Sequence, residues 1–123
     1  MSTQSSATRF DLARFCDAVE ARQVATQVAM YADDAVVTIA DRINQPGAPR
    51  ILHGREEVAE WIGDVCGRDM SHHVEQAVAD AGGAAFSEAC RYPDGTNVRC
   101  ATVMALQDGQ IARQTVVQAW DEA

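Results

Sequence analysis

Three places in this chain carry side chains able to move a proton near neutral pH: Asp41, the adjacent pair His72 and His73, and Glu88. Apolar surroundings push a carboxyl pKa up, toward the range of a general acid or base. Glu88 alternates with Phe86 and Cys90, so it is buried if that strand face is buried. A buried, unpaired carboxylate is costly and often functional. With the register shifted by one residue, Glu88 instead faces solvent or pairs with Arg99 or Arg113. Asp41 closes a β-branched run, where an apolar rim would raise its pKa; the competing role is a solvated aspartate at a strand end. Adjacent histidines on a strand point to opposite faces, so at most one of His72 and His73 reaches a common site. His73 is the candidate, with a structural role for either ring as the alternative.

Histidines that face apart cannot chelate one metal, and His53 adds no zinc spacing, so neither a metal nor a cofactor is expected. The four cysteines, Cys16, Cys66, Cys90 and Cys100, include no CxxC pair and are expected to be free thiols. A hairpin centred on Gly95 would set Cys90 opposite Cys100 and make a cross-strand bridge conceivable. Cys66 lacks a basic neighbour, which argues against a thiolate nucleophile. No GxSxG, Walker A, GxGxxG or HExxH motif occurs.

The elements that must position these residues can be read from periodicity. Leu12, Phe15, Cys16 and Val19 form an i, i+3, i+4, i+7 stripe on a first helix from Thr8 to Glu20. Val24, Val28 and Tyr31 continue onto a shorter helix that Asp33 and Asp34 stop. Residues Ala35 to Asp41 read as a strand, residues 44–49 as a loop, and Arg50 to His53 as a short returning strand. Gly54 opens a third helix with the stripe Val58, Trp61, Ile62 and Val65, ended by Gly67. Four strands follow: His72–Ala79, Ala84–Tyr92, Asn97–Gln107 and Gln110–Trp120. Glycine-bearing turns separate them, so neighbours pair antiparallel. Helices first and strands afterwards give an α+β fold. The 123 residues fit one domain, 8–121, behind a disordered tail, 1–7.

The order Tyr31-Ala32-Asp33-Asp34-Ala35, then Gly54-Arg55-Glu56-Glu57-Val58-Ala59-Glu60-Trp61, then Ser71-His72-His73-Val74, and finally Asp108-Gly109-Gln110-Ile111 resembles the NTF2-like superfamily. Within it, the likeness is to the SnoaL-like polyketide cyclase and ketosteroid isomerase branches. The resemblance implies a cystatin-like cone: three N-terminal helices packed on a curved, mostly antiparallel sheet around a pocket. It also allows a residue-by-residue test of ketosteroid isomerisation. That reaction needs a carboxylate base, a tyrosine and a protonated aspartic acid. Counting from the shared block puts Ile39, Phe15 and Thr102 at those positions, so that reaction is not expected.

The same count, with strand alternation, implies a pocket lined by Val37, Ile39 and Asp41 on the first strand. Later strands would add Phe86, Glu88, Cys90 and Tyr92, then Cys100, Thr102 and Met104, then Gln114, Val116 and Gln118. Phe15, Tyr31, Trp61 and Ile62 would complete the wall. Asp41, His73 and Glu88 are the candidate acid/base residues. The implied activity is cyclisation, isomerisation or dehydration of a small apolar carbonyl compound without a cofactor. The alternative is a non-catalytic binding or dimerisation module of the same fold.

The chain carries 18 acidic against 10 basic residues, a net charge of −8, with no basic run, so nucleic acid and anionic membranes are not expected partners. No apolar stretch suits a membrane span and the first residues do not resemble a signal peptide, so a cytoplasmic location is the expectation. A homodimer is expected, because a long sheet apolar on both faces needs cover.

Overall fold

The computed structural model describes residues 9–122. The expected tail and the first residue of the expected N-terminal helix, Thr8, lie outside them. Helix α1 spans Leu12–Glu20, α2 Val24–Val28 and α3 Gly54–Cys66. Six strands follow the order β1 (Tyr31–Ala40), β2 (Arg50–His53), β3 (Ser71–Ala79), β4 (Gly83–Arg91), β5 (Asn97–Gln107) and β6 (Gln110–Trp120). They form one mixed sheet in the order β2-β1-β6-β5-β4-β3. The α+β class is as expected from the sequence.

α1 begins where Asp11 accepts a hydrogen bond from the Arg14 N–H, the usual service of an N-cap aspartate. Its buried side is Phe15, Cys16 and Ala18, with Leu12 and Val19 partly covered. The polypeptide turns at Arg22, at φ 56°, and the Arg22 guanidinium donates to the carbonyl of Arg68 at 2.8 Å. That contact ties the α1–α2 corner to the segment after α3.

Tyr31 begins β1 rather than ending a helix. It pairs with Ile111, whose N–H donates to the Met30 carbonyl at 2.9 Å. The ladder then shifts, because Val36 pairs with Arg113, and residues 32–35 form a bulge. The exposed Asp33 and Asp34 sit in this bulge, which is how two turn-favouring residues are accommodated in a strand. From Val36 to Ala40, β1 runs parallel to β6, a pairing that joins the first and last strands.

The opposing half of the sequence block explains its own residue types. Gly54 enters α3 directly from β2 with φ +86°, a conformation that a side chain disfavours. Arg55 donates from Nε and Nη2 to the Tyr31 carbonyl, at 3.0 and 2.6 Å, and from Nη1 to Asp33 at 2.8 Å. The Glu57 carboxylate reaches back to accept from the His53 N–H at 2.8 Å. α3 is thereby fixed to β1 and buries Val58 and Ile62.

The last four strands are joined by tight turns. Asp80 accepts from the N–H groups of Gly82 and Gly83. Asp108 and Gly109 both take positive φ, 53° and 76°, as a two-residue hairpin of the primed type requires. The β4–β5 turn centres on Asp94 instead of Gly95, so Cys90 pairs with Val98 and Cys100 with Glu88. The two thiols are therefore diagonal neighbours, and all four cysteines are free.

Replacing Arg55 by Met is expected to cost about 1–3 kcal/mol in chemical denaturation, as the Tyr31 carbonyl loses charged donors in a partly buried setting. Arg55→Lys should recover little of this, since an ammonium cannot span the carbonyl and Asp33 as the planar fork does. Full recovery by lysine would show that charge alone suffices.

Candidate functional site

A cavity lies between the helices and the inner face of the sheet. Its wall is mostly apolar and aromatic. Phe15 packs within 6.1 Å of Tyr31 and 6.0 Å of Phe86, centroid to centroid. Ile62, Trp61 and Val116 cover the helix side and the far strand, and Tyr92 stacks on Trp120 at 5.7 Å nearer the mouth. Arg42 lies over the Trp120 ring at 4.2 Å. Phe15, Tyr31, Trp61, Ile62, Phe86, Glu88, Cys90, Tyr92, Thr102, Gln114, Val116 and Gln118 all line this cavity.

Other candidates lie elsewhere. Val37, Ile39 and Met104 share the inner face but are consumed by the packed core, each at most 1% exposed. Asp41 sits just beyond the end of β1, in an outer groove at the cavity mouth. Strand alternation therefore does not extend to it. Its carboxylate accepts from the N–H groups of Ile43 and Asn44, at 2.9 and 2.7 Å, and from the Asn44 side chain. Partial burial pushes the Asp41 carboxyl up, but these hydrogen bonds and the charge of Arg50 together hold it below the usual value. The expected upward shift is thus reversed, because Asp41 closes a loop instead of meeting an apolar rim.

His73 is also corrected. Its ring is 74% exposed and lies beside Glu20 at 3.3 Å, on the side of β3 away from the cavity. His72 takes the inward position, with its side chain 5% exposed. The deciding fact is the β3–β4 register, which pairs His72 with Cys90 and so places both on the cavity face. The sequence alone offered no signal for choosing between neighbours on one strand, because either phase of the alternation was compatible with the pattern.

His72 Nδ1 lies 3.3 Å from Cys90 Sγ and 3.4 Å from Glu88 Oε1, and the Cys90 thiol donates to the same oxygen at 3.6 Å. Contacts to the Cys90 sulfur and the Glu88 carboxylate favour the protonated ring, outweigh burial, and push the His72 pKa up to about 9. A hydrogen bond with Cys100, together with burial, pushes the Cys90 thiol up against the lowering contact of His72. Cys90 is thus a neutral thiol near neutral pH, and Glu88 is the partner that attracts an imidazolium. His72 Nε2 is buried with no hydrogen-bond partner among the described residues.

A second polar pair crosses the cavity floor. The Tyr31 hydroxyl donates to Gln114 Oε1, and both side chains are buried. Burial pushes the Tyr31 phenol up, partly offset by that hydrogen bond, so it remains a neutral donor. Thr102 is buried on the adjacent strand, and Gln118 accepts from the Trp120 indole N–H at 3.0 Å. Gln27, not singled out in the sequence, lines the same cavity and donates to the Ala18 and Gln23 carbonyls.

The sequence profile of the SnoaL-like domain matches residues 12–114. The chain belongs to the SnoaL-like domain family. No curated protein matches it. Solved structures similar to this SnoaL-like domain include an NTF2-like protein of unknown function from Mesorhizobium loti, at TM-score 0.76 and 19% identity, covering 96% of this chain and 93% of that one. A protein assigned as a ketosteroid isomerase from Kribbella flavida DSM 17836 gives TM-score 0.73 and 21% identity, over 98% and 79%. SalBIII, an epoxide hydrolase/cyclase-like enzyme with a role in pyran ring formation in polyether salinomycin, gives TM-score 0.67 and 18% identity, over 94% and 90%. At these identities the likeness is one of fold. No helix among the described residues of this SnoaL-like domain is long and apolar enough to cross a membrane.

An NMR titration of the His72 ring is expected to show a midpoint near 9, against an ordinary value of 6.5. Glu88→Gln should move it back down. A folded-state pKa raised above the unfolded one adds stability below pH 6.5 that is lost as pH rises through about 9. Wild-type protein should therefore lose more thermal stability over that window than His72→Gln does. Equal loss would mean that the imidazolium is not held by the fold.

Proposed function

We propose that this domain is an enzyme that binds a small, largely apolar carbonyl compound in the cavity and catalyses proton transfer on it, as in a cyclisation, isomerisation or dehydration. The observation that carries the reading is the His72–Glu88 pair, two titratable groups in contact on a mostly apolar cavity wall. A module that merely held an apolar ligand would have no use for a buried ion pair, whose desolvation opposes folding.

The roles follow from which atoms are already occupied. His72 Nδ1 and Glu88 Oε1 hold each other. That leaves the Nε2 N–H of a protonated His72, buried and without a partner among the described residues, to donate to a carbonyl oxygen once a small turn of the ring brings it to the cavity, where it would stabilise developing negative charge. Glu88 Oε2 has no hydrogen-bond partner among the described residues and serves as the base toward the adjacent carbon. Thr102 and Gln114 lie on the same wall and orient the substrate's remaining polar groups. Asp41 and His73 fall outside this scheme by position.

The domain is also proposed to work as a homodimer through the outer sheet face. Val78, Ala85, Val103, Thr115, Thr38 and Ile51 pair in one row across all six strands. Val78, Val103 and Ile51 are 70%, 61% and 47% exposed, and Val117 beside them is 52% exposed. Val74 does not join this row; it packs partly buried against the core, because β3 bulges between Val74 and Gln76.

With a panel of small cyclic and β-dicarbonyl substrates, His72→Gln and Glu88→Gln should each lower kcat by about 10²–10⁴. Asp41→Asn and His73→Gln should stay within a few-fold of wild type. Full turnover in both cavity variants would end the acid/base assignment. Sedimentation velocity at micromolar concentration should give a dimer for the wild type and a monomer for Val103→Lys.

A further inference from the structure

The three groups that meet on the cavity wall also have the spacing of a metal site. His72 Nδ1, Glu88 Oε1 and Cys90 Sγ lie 3.3, 3.4 and 3.6 Å apart, pair by pair. For zinc, bond lengths of about 2.3 Å to sulfur and about 2.0–2.1 Å to nitrogen or oxygen at tetrahedral angles separate the donors by about 3.3–3.6 Å. An ion could thus seat against all three with little movement of the side chains.

We infer that His72, Glu88 and Cys90 form a binding site for a borderline-soft divalent cation of the zinc or cobalt type. The donor set sets the preference: a thiolate and an imidazole select such ions over magnesium or calcium, which require oxygen ligands. The backbone preorganises the site. His72 and Cys90 are directly paired on β3 and β4, and Glu88 lies two residues from Cys90 on the same face. All three side chains or residues are largely buried, so the ion sits out of bulk water. Cys100, across from Glu88 on β5, is a near neighbour of Cys90 and shields it.

Binding is a substitution of protons by metal. The Cys90 S–H bond breaks as the sulfur–metal bond forms, and that proton passes to solvent. His72 gives the lone pair of Nδ1, releasing any proton held there. Three protein ligands leave a fourth position open toward the cavity. The metal takes the atoms through which His72 and Glu88 hold each other, so metal occupancy and the proposed proton transfer exclude one another. The site shares residues with that reading but rests on donor spacing alone.

The test uses protein stripped with a chelator and titrated with Co²⁺ in the absence of substrate. Wild type should bind one equivalent, with a sulfur-to-cobalt charge-transfer band in the near ultraviolet and the intense visible bands of a tetrahedral site. Zn²⁺ should displace it stoichiometrically, and excess Mg²⁺ should not. Cys90→Ser should abolish the near-ultraviolet band, and His72→Gln should weaken binding by more than the 10–100-fold typical of changes outside the ligand shell. The solvent-exposed His73→Gln should bind as wild type. Folding of each variant is checked by circular dichroism. No sulfur band in the wild type, or a band that survives Cys90→Ser, overturns the site. Because no turnover is measured, that failure would leave the acid/base reading standing, and inactive substrate panels would leave the metal site standing.

Discussion

Arg55 joins the two halves of the molecule. Its guanidinium grips the Tyr31 carbonyl with two N–H groups and Asp33 with a third, so the start of β1 and the first turn of α3 are held as one unit. The bulge in β1 is what makes this possible, because it turns Asp33 outward toward the arginine while Tyr31 stays paired with Ile111. Everything inward of that point inherits its position. Tyr31 is buried with its hydroxyl on Gln114, β1 lies parallel to β6, and α3 lays Val58 and Ile62 over the sheet.

From there the hairpin ladder carries the phase outward strand by strand. Val37 pairs with Gln114, Met104 with Gln114, Met104 with Ala84, and Phe86 with Thr102, so the inner row is decided one register at a time. On the far strands the same inner face carries His72, Glu88 and Cys90, in two neighbouring rows. Two core clusters result, a large one around Phe15, Tyr31 and Phe86 and a smaller one around Met70, Cys90, Val98 and Cys100. The polar trio lies on the cavity wall where Cys90 joins the smaller cluster. Edge strand β3 is in turn secured by Glu20, whose carboxylate accepts from the Val74 N–H at 2.7 Å and faces His73. A histidine on each side of one strand thus serves a different purpose: His73 meets α1 at the surface, and His72 meets Glu88 inside.

Much of this was legible in the residues themselves. The helical stripes, the glycine-bearing turns and the α+β order follow from periods of 3.6 and 2, which local sterics enforce. The absence of a carboxylate at Ile39 was readable by counting, and Glu88 was found because it alternates with Phe86 and Cys90. What could not be read were departures from regularity. The bulge at residues 32–35 moved Tyr31 from a helix to a strand. The turn centred on Asp94 moved Cys100 away from Cys90. Asp41 fell one residue past the end of β1, where its side chain closes a loop.

The sequence by itself therefore determined most of the elements, their order and the family, because these depend on short-range pattern. Only the tertiary structure decided which histidine enters the cavity and that Glu88 and Cys90 meet it there. Those facts depend on pairing between strands, where a shift of one residue exchanges the two faces at little local cost, and only packing across the whole sheet selects between them.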